Sequence, residues 1–130
     1  MNNLYRLNQA HNQYQSLALT SRLEATSPHG LVAVLYEELL RSLDVMAVAI
    51  TRGKDLAHEV HSGRARTILI ALEGSLDFER GAQVAQVLSG VYRAMQAQLR
   101  KVIAENSSEM LDELRSGVSE IATSWNQIAA

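Results

Sequence analysis

Apolar residues in this chain recur at alternating steps of three and four in four separate stretches. Val32, Tyr36, Leu39, Leu43, Met46 and Ile50 form the first line, with Leu31, Leu35 and Leu40 widening it on both sides. Ala65, Ile68, Leu69, Leu72 and Leu76 mark a second face within residues 56–76. Ala85, Leu88, Tyr92, Met95, Leu99 and Val102 mark a third within residues 82–105, flanked by Val84, Val91 and Ile103. Leu111, Leu114, Val118, Ile121, Trp125 and Ile128 hold the same step through the fourth. This period belongs to an amphipathic helix with one buried face; a strand would alternate every second residue. Four helices of about 20 to 25 residues, about 30 to 37 Å each at 1.5 Å per residue, joined by short turns, predict an all-α, antiparallel four-helix bundle.

Local signals place the boundaries. Ser27 can cap the first helix with its hydroxyl, and Pro28 stands at the first helical position, where its missing N–H is harmless. Gly53 is the expected stop. The segment LDFERG, residues 76–81, breaks the second helix from the third, and Asn106 with Glu109 reads as a capping-box-like pair opening the fourth. Residues 1–25 differ from the rest. Asn and Gln dominate them, and Leu4, Leu7, Tyr14 and Leu17 give only a weak helical stripe, so they are expected to form an N-terminal arm or one short extra helix. The domain division is therefore an arm at 1–25, with a mobile lid as one reading of it, and a bundle at 26–130.

Composition narrows the function without naming it. With 47% hydrophobic and 20% charged residues, the 130-residue chain is that of one globular domain able to bury a core. A formal net charge of −2 leaves no excess cation for phosphates or an anionic bilayer, so neither a nucleic-acid partner nor membrane insertion is expected. The absence of cysteine removes disulfides and thiolate chemistry. The opening stretch lacks a cationic flank leading into an apolar run, which argues against a secretory signal and for the cytoplasm.

Motifs for catalysis are missing as well: no GxSxG elbow, GxxxxGK loop or HExxH pair occurs, so no enzyme and no cofactor is expected. HEVH sets His58 and His61 three apart on a predicted helix, yet without a third and fourth ligand, and no metal site is read from it. HSGRA, starting at His61, partly matches a histidine-containing phosphotransfer bundle, the alternative function. Its second position after the histidine is Gly63, smaller than that module's usual residue. A self-associating structural bundle is a third reading.

Two features suggest a binding surface. Gly63, Gly74, Gly90 and Gly117 fall inside predicted helices, where each costs about 1 kcal/mol relative to alanine. They point either to close helix packing or to shallow grooves that a partner's apolar residues enter. Tyr36, Tyr92 and Trp125 lie on the apolar lines of three different helices, and a buried phenol or indole still needs a hydrogen-bond partner. Trp125 reads as a core aromatic. Around Tyr36 the stripe is broader than two bundle neighbours must cover, which marks a groove.

The stretches ATSPHGLVAVLYEELLRSL, LEGSLDFERGAQVAQVLSGVYRAMQAQL and EMLDELRSGVSEIATSWNQI resemble, in order and spacing, the flagellin-specific export chaperones of the FliS family. The most specific parts are T-S-P followed by L-Y, S-L-D before the third helix, V-Y within it and the late W. The resemblance implies a helical bundle in the bacterial cytosol that binds the disordered C-terminal segment of flagellin, prevents premature polymerisation and assists delivery to the flagellar type III export apparatus. Export-gate components are implied as further partners. It also implies a flagellin-binding groove that includes Tyr14, Leu35, Tyr36, Leu39, Leu40 and Tyr92. Tyr14 corresponds to the tyrosine of an N-terminal segment that folds over the groove in the free protein. The spacer QSLALTSRLEAT and the amide-rich start depart from the family's short tyrosine-containing opening.

Overall fold

A computed structural model describes residues 27–128, and all the regular structure among them is helical. Helix α1 spans Pro28–Thr51, α2 Val60–Gly74, α3 Phe78–Glu105 and α4 Ser108–Ile128, with a 3-10 turn at Leu56–His58 before α2. The chain divides into two compact units between Val34 and Leu35. In the first, the predicted start of α1 is in place: Ser27 Oγ accepts from Gly30 N at 3.2 Å and Ser27 O from Leu31 N at 2.7 Å.

In the second unit, cross-helix pairs define the directions. Tyr36 meets Trp125 and Asp44 meets Arg115, so numbering falls along α4 as it rises along α1 and the two helices are antiparallel. Leu56 bonds to Asn106, and Glu73 bonds to Arg93 and Gln96, which makes α2 antiparallel to α3. α3 in turn packs on α4. The bundle therefore alternates in direction as expected from its short connections. Among the described residues, no helix is long and apolar enough to cross a membrane.

Three boundaries differ from the sequence reading, each for a local reason. α2 does not begin at Leu56. Asp55 caps a 3-10 turn by accepting from Ala57 N at 3.0 Å, and Glu59 is extended (φ −83°, ψ 125°) before the α-helix starts. α3 begins earlier than residue 82. Asp77 Oδ1 accepts from Glu79 N and Arg80 N, both at 3.1 Å, and this capped first turn joins the main helix through a kink at Ala82 (φ 36°, ψ −105°). Gly81 suits the tight approach there, since a Cβ on it would lie 3.2 Å from the Ala85 Cβ. Finally, Ser107 caps α4, its hydroxyl accepting from Met110 N at 3.1 Å, and Asn106 has a different task.

Asn106 closes α3 in the left-handed conformation (φ 52°, ψ 41°), which asparagine tolerates better than most residues. Its amide then clasps the α1–α2 connection: Oδ1 accepts from Leu56 N at 2.8 Å and Nδ2 donates to Lys54 O at 3.2 Å. Gly53, at φ 74°, makes the turn that presents these backbone groups. Beneath the clasp, Leu43, Met46, Leu56, Leu99, Val102 and Leu111 are at most 2% exposed. Steps of three and four put them there because each lies on the one face of its helix that can avoid water.

Candidate functional site

The end of the bundle away from Asn106 is built differently. The first half of α3, the second half of α4 and Tyr36 of α1 bound a groove of about 330 Å3, lined by Tyr36, Val84, Leu88, Glu120, Ile121, Ser124, Trp125 and Ile128. A second depression of about 310 Å3 continues along α3 at Gln83, Val84, Val87 and Leu88. Val84, Val87 and Ile128 are 65%, 64% and 70% exposed, so this is apolar surface left in water and not a sealed core.

Tyr36 forms the floor. Its ring is nearly buried and meets the Trp125 indole edge to face, with centroids 6.3 Å apart and planes at 69°. The two hydroxyls of Tyr36 and Tyr92 lie 2.5 Å apart, one donating to the other. Burial first, then the hydrogen bond and charge interaction with Tyr92, push the Tyr36 phenol well above its ordinary range. Burial also raises Tyr92, against the hydrogen bond from Tyr36. Both phenols are therefore neutral at any physiological pH, and the pair satisfies two polar groups inside an apolar wall. This pairing gives tyrosines on α1 and α3 a structural purpose that phenylalanine could not serve.

The residues named from the sequence are distributed between core and groove. Leu35, Leu39 and Tyr92 are buried, Leu40 is half-buried, and Tyr36 is the one of them that lines the cavity. Tyr14 lies outside the described residues. Trp125, read from its stripe as a core aromatic, is only half-buried and forms a groove wall. Val84, Leu88, Ile121 and Ile128 join it, although periodicity alone assigned them to core faces or flanks. A signal existed in Val84 and Val87, which put apolar side chains toward the outer margins of α3's stripe.

The glycines are also clarified. A Cβ at Gly63, Gly74 or Gly90 would meet nothing within 4 Å, and one at Gly117 would reach only Met95 Cε at 3.8 Å. Close packing among the described residues does not require them. The histidine motif does not assemble a metal site: His58 sits in the 3-10 turn and His61 in the first turn of α2, separated by the extended Glu59. His61 Nδ1 lies 3.2 Å from Glu59 Oε1. No group of three or more metal-ligating side chains forms among the described residues.

With a helical bundle, a buried tyrosine pair and an apolar groove in place, comparison with known proteins fits them together. The sequence profile described as "Flagellar protein FliS" matches residues 10–130. A flagellar secretion chaperone FliS from Vibrio cholerae is 30% identical over 115 residues, covering 88% of this chain and 85% of that protein. The flagellar secretion chaperone FliSB from Pseudomonas aeruginosa is 28% identical over 117 residues, covering 90% and 93%. A Campylobacter jejuni flagellar secretion chaperone FliS is 32% identical over 103 residues, covering 78% and 80%. The chain belongs to the FliS family.

Proposed function

We propose that this protein is a flagellar secretion chaperone of the bacterial cytosol whose α3–α4 groove holds the disordered C-terminal segment of flagellin as a helix. Held in this way, the segment is kept from polymerising until it is delivered to the type III export apparatus, where export-gate components are the next partners. The observation that carries the reading is the open apolar groove floored by Tyr36 and walled by Val84, Leu88, Ile121, Trp125 and Ile128.

An amphipathic helix recognises such a surface by placing apolar residues at i, i+3, i+4 and i+7 into it. A disordered segment pays its ordering entropy on binding, so net affinity stays moderate enough for later release. The groove's size sits at the lower end of ligand pockets, about 300 to 1,000 Å3, and suits side chains of a docked helix more than a large cofactor. Tyr36 closes the floor beneath the ligand, while Tyr92 holds its hydroxyl from behind. Leu35, Leu39 and Leu40 support that wall.

Calorimetry with a peptide of the C-terminal forty or so residues of the cognate flagellin tests the reading. Trp125 is the single tryptophan of the chain, so its emission reports occupancy of the groove directly. A one-to-one complex with a shift in that emission is expected. Trp125→Ala should weaken it by at least about tenfold, as loss of a central aromatic anchor does. No binding at high micromolar peptide overturns the proposal.

A further inference from the structure

We propose that Glu120 is a specificity residue of this groove, pairing with a lysine or arginine that the bound helix carries one turn from the side chain filling the cavity. The proposal rests on the reading of the groove as the substrate site and names the chemistry that site selects.

The groove lining is apolar except for Glu120 and Ser124, which stand one turn apart on α4 beside Ile121 and Trp125. Glu120 is exposed and makes no ion pair or hydrogen bond with another described side chain. Among the described residues, three cations of α3 and α4 already have acidic partners of their own. Arg115, the one cation of α4, is held by Asp44 of α1; Arg93 of α3 is held by Glu73 at 2.9 Å; Arg80 lies 3.8 Å from Asp77. The opposite wall, formed by Gln83, Val84, Val87 and Leu88 of α3, carries no charge. Among the described residues that line the groove, Glu120 is the one that carries a charge.

A helix lying in the groove presents residues at i and i+3 or i+4 along one line. When its apolar side chain enters between Trp125 and Leu88, the residue one turn away reaches the level of Glu120. An ammonium or guanidinium there gains a charge-assisted hydrogen bond in a site partly cleared of water. A carboxylate at the same position is repelled. Ser124 accepts or donates in either case and does not discriminate. The apolar wall thus supplies affinity, and Glu120 decides which helices, and in which register, use it.

The experiment uses the full chain as wild type, Glu120→Gln and Glu120→Lys, with the cognate flagellin C-terminal peptide and variants of it in which each lysine or arginine in turn is glutamine. Glu120→Gln should weaken binding about threefold and Glu120→Lys about tenfold, the scale of a partly exposed ion pair removed and then reversed. One peptide substitution should weaken the wild type by the same factor as Glu120→Gln while leaving Glu120→Gln itself unchanged. Because Glu120 is exposed, thermal melts should be alike for all three proteins. Wild-type binding that Glu120→Lys leaves within twofold overturns this proposal alone. Absence of wild-type binding overturns the substrate reading and this proposal with it.

Discussion

The two ends of this bundle share one chain and one helical period, yet they treat water differently. At the Asn106 end, Leu43, Met46, Leu56, Leu99, Val102 and Leu111 are almost fully buried, and a side-chain amide ties two connections together above them. At the other end, Val84, Val87 and Ile128 stay more than half exposed, and Tyr36 and Trp125 line a groove. Stability and binding draw on the same apolar residue types, and what separates them is whether the chain itself supplies the covering layer. Apolar surface left in water costs about 25 cal/mol per Å2 in the unbound protein, and the proposed ligand helix would recover that free energy by covering it.

This contrast can be broken most sharply at Leu99, which is 1% exposed beneath the clasp. Leu99→Ala should destabilise the protein by about 2 to 5 kcal/mol, combining lost transfer energy with a cavity, and lower the melting temperature by about 10 °C. Peptide affinity, measured below the melt, should change little. If Leu99→Ala weakened binding as strongly as a groove substitution, the two ends would not be separable.

Asn106 offers a finer test. Asn106→Ala removes both amide hydrogen bonds to the α1–α2 connection and puts an ordinary Cβ at φ 52°, for an expected loss of about 2 kcal/mol. Asn106→Gly keeps the conformation and loses only the bonds, so about half of that cost should return. Denaturant melts of the two variants separate backbone strain from the clasp. Equal losses would assign the whole effect to the amide.

Much of this architecture was legible in the sequence because periodicity states which side of a helix avoids water. Ser27 and Pro28 announced α1, and the four stripes gave four helices in the right order. The turn chemistry was less legible. Asp55 and Asp77 each cap a short turn that the apolar pattern does not include, and Asn106 looked like a cap for α4 when it serves as the left-handed close of α3. The groove was half legible. Tyr36 and Tyr92 each sit on a stripe, but their hydrogen bond joins positions 56 residues apart, and no local pattern encodes it. Trp125 and Leu88 were misplaced in kind for one reason: a stripe reads the same whether a neighbouring helix covers it or leaves it open. Only the exposure of Val84, Val87 and Ile128 in the folded chain distinguishes the two.

Below the scale of the clasp lies the floor of the groove itself. Trp125→Ala removes a half-buried ring that meets Tyr36 edge to face, and its stability cost should be about 1 kcal/mol, below that of Leu99→Ala. Its effect on peptide affinity should be the larger of the two. Melts and calorimetry on the same pair of variants therefore give opposite rankings, which is the signature of a bundle closed at one end and open at the other.

Gly90 carries the smallest effect and defines how far the open surface extends. It is exposed on the outer face of α3, a few residues past Val87, and a side chain there would meet none of the described residues within 4 Å. Gly90→Ala should therefore stabilise the free protein by about 0.5 to 1 kcal/mol, through better helix propensity and a less flexible unfolded chain. If peptide affinity stays the same, the ligand is confined to the side of α3 that faces α4. If affinity falls while the melting temperature rises, the ligand backbone passes close over Gly90, and the glycine's helix cost is the condition for a binding surface that wraps around α3.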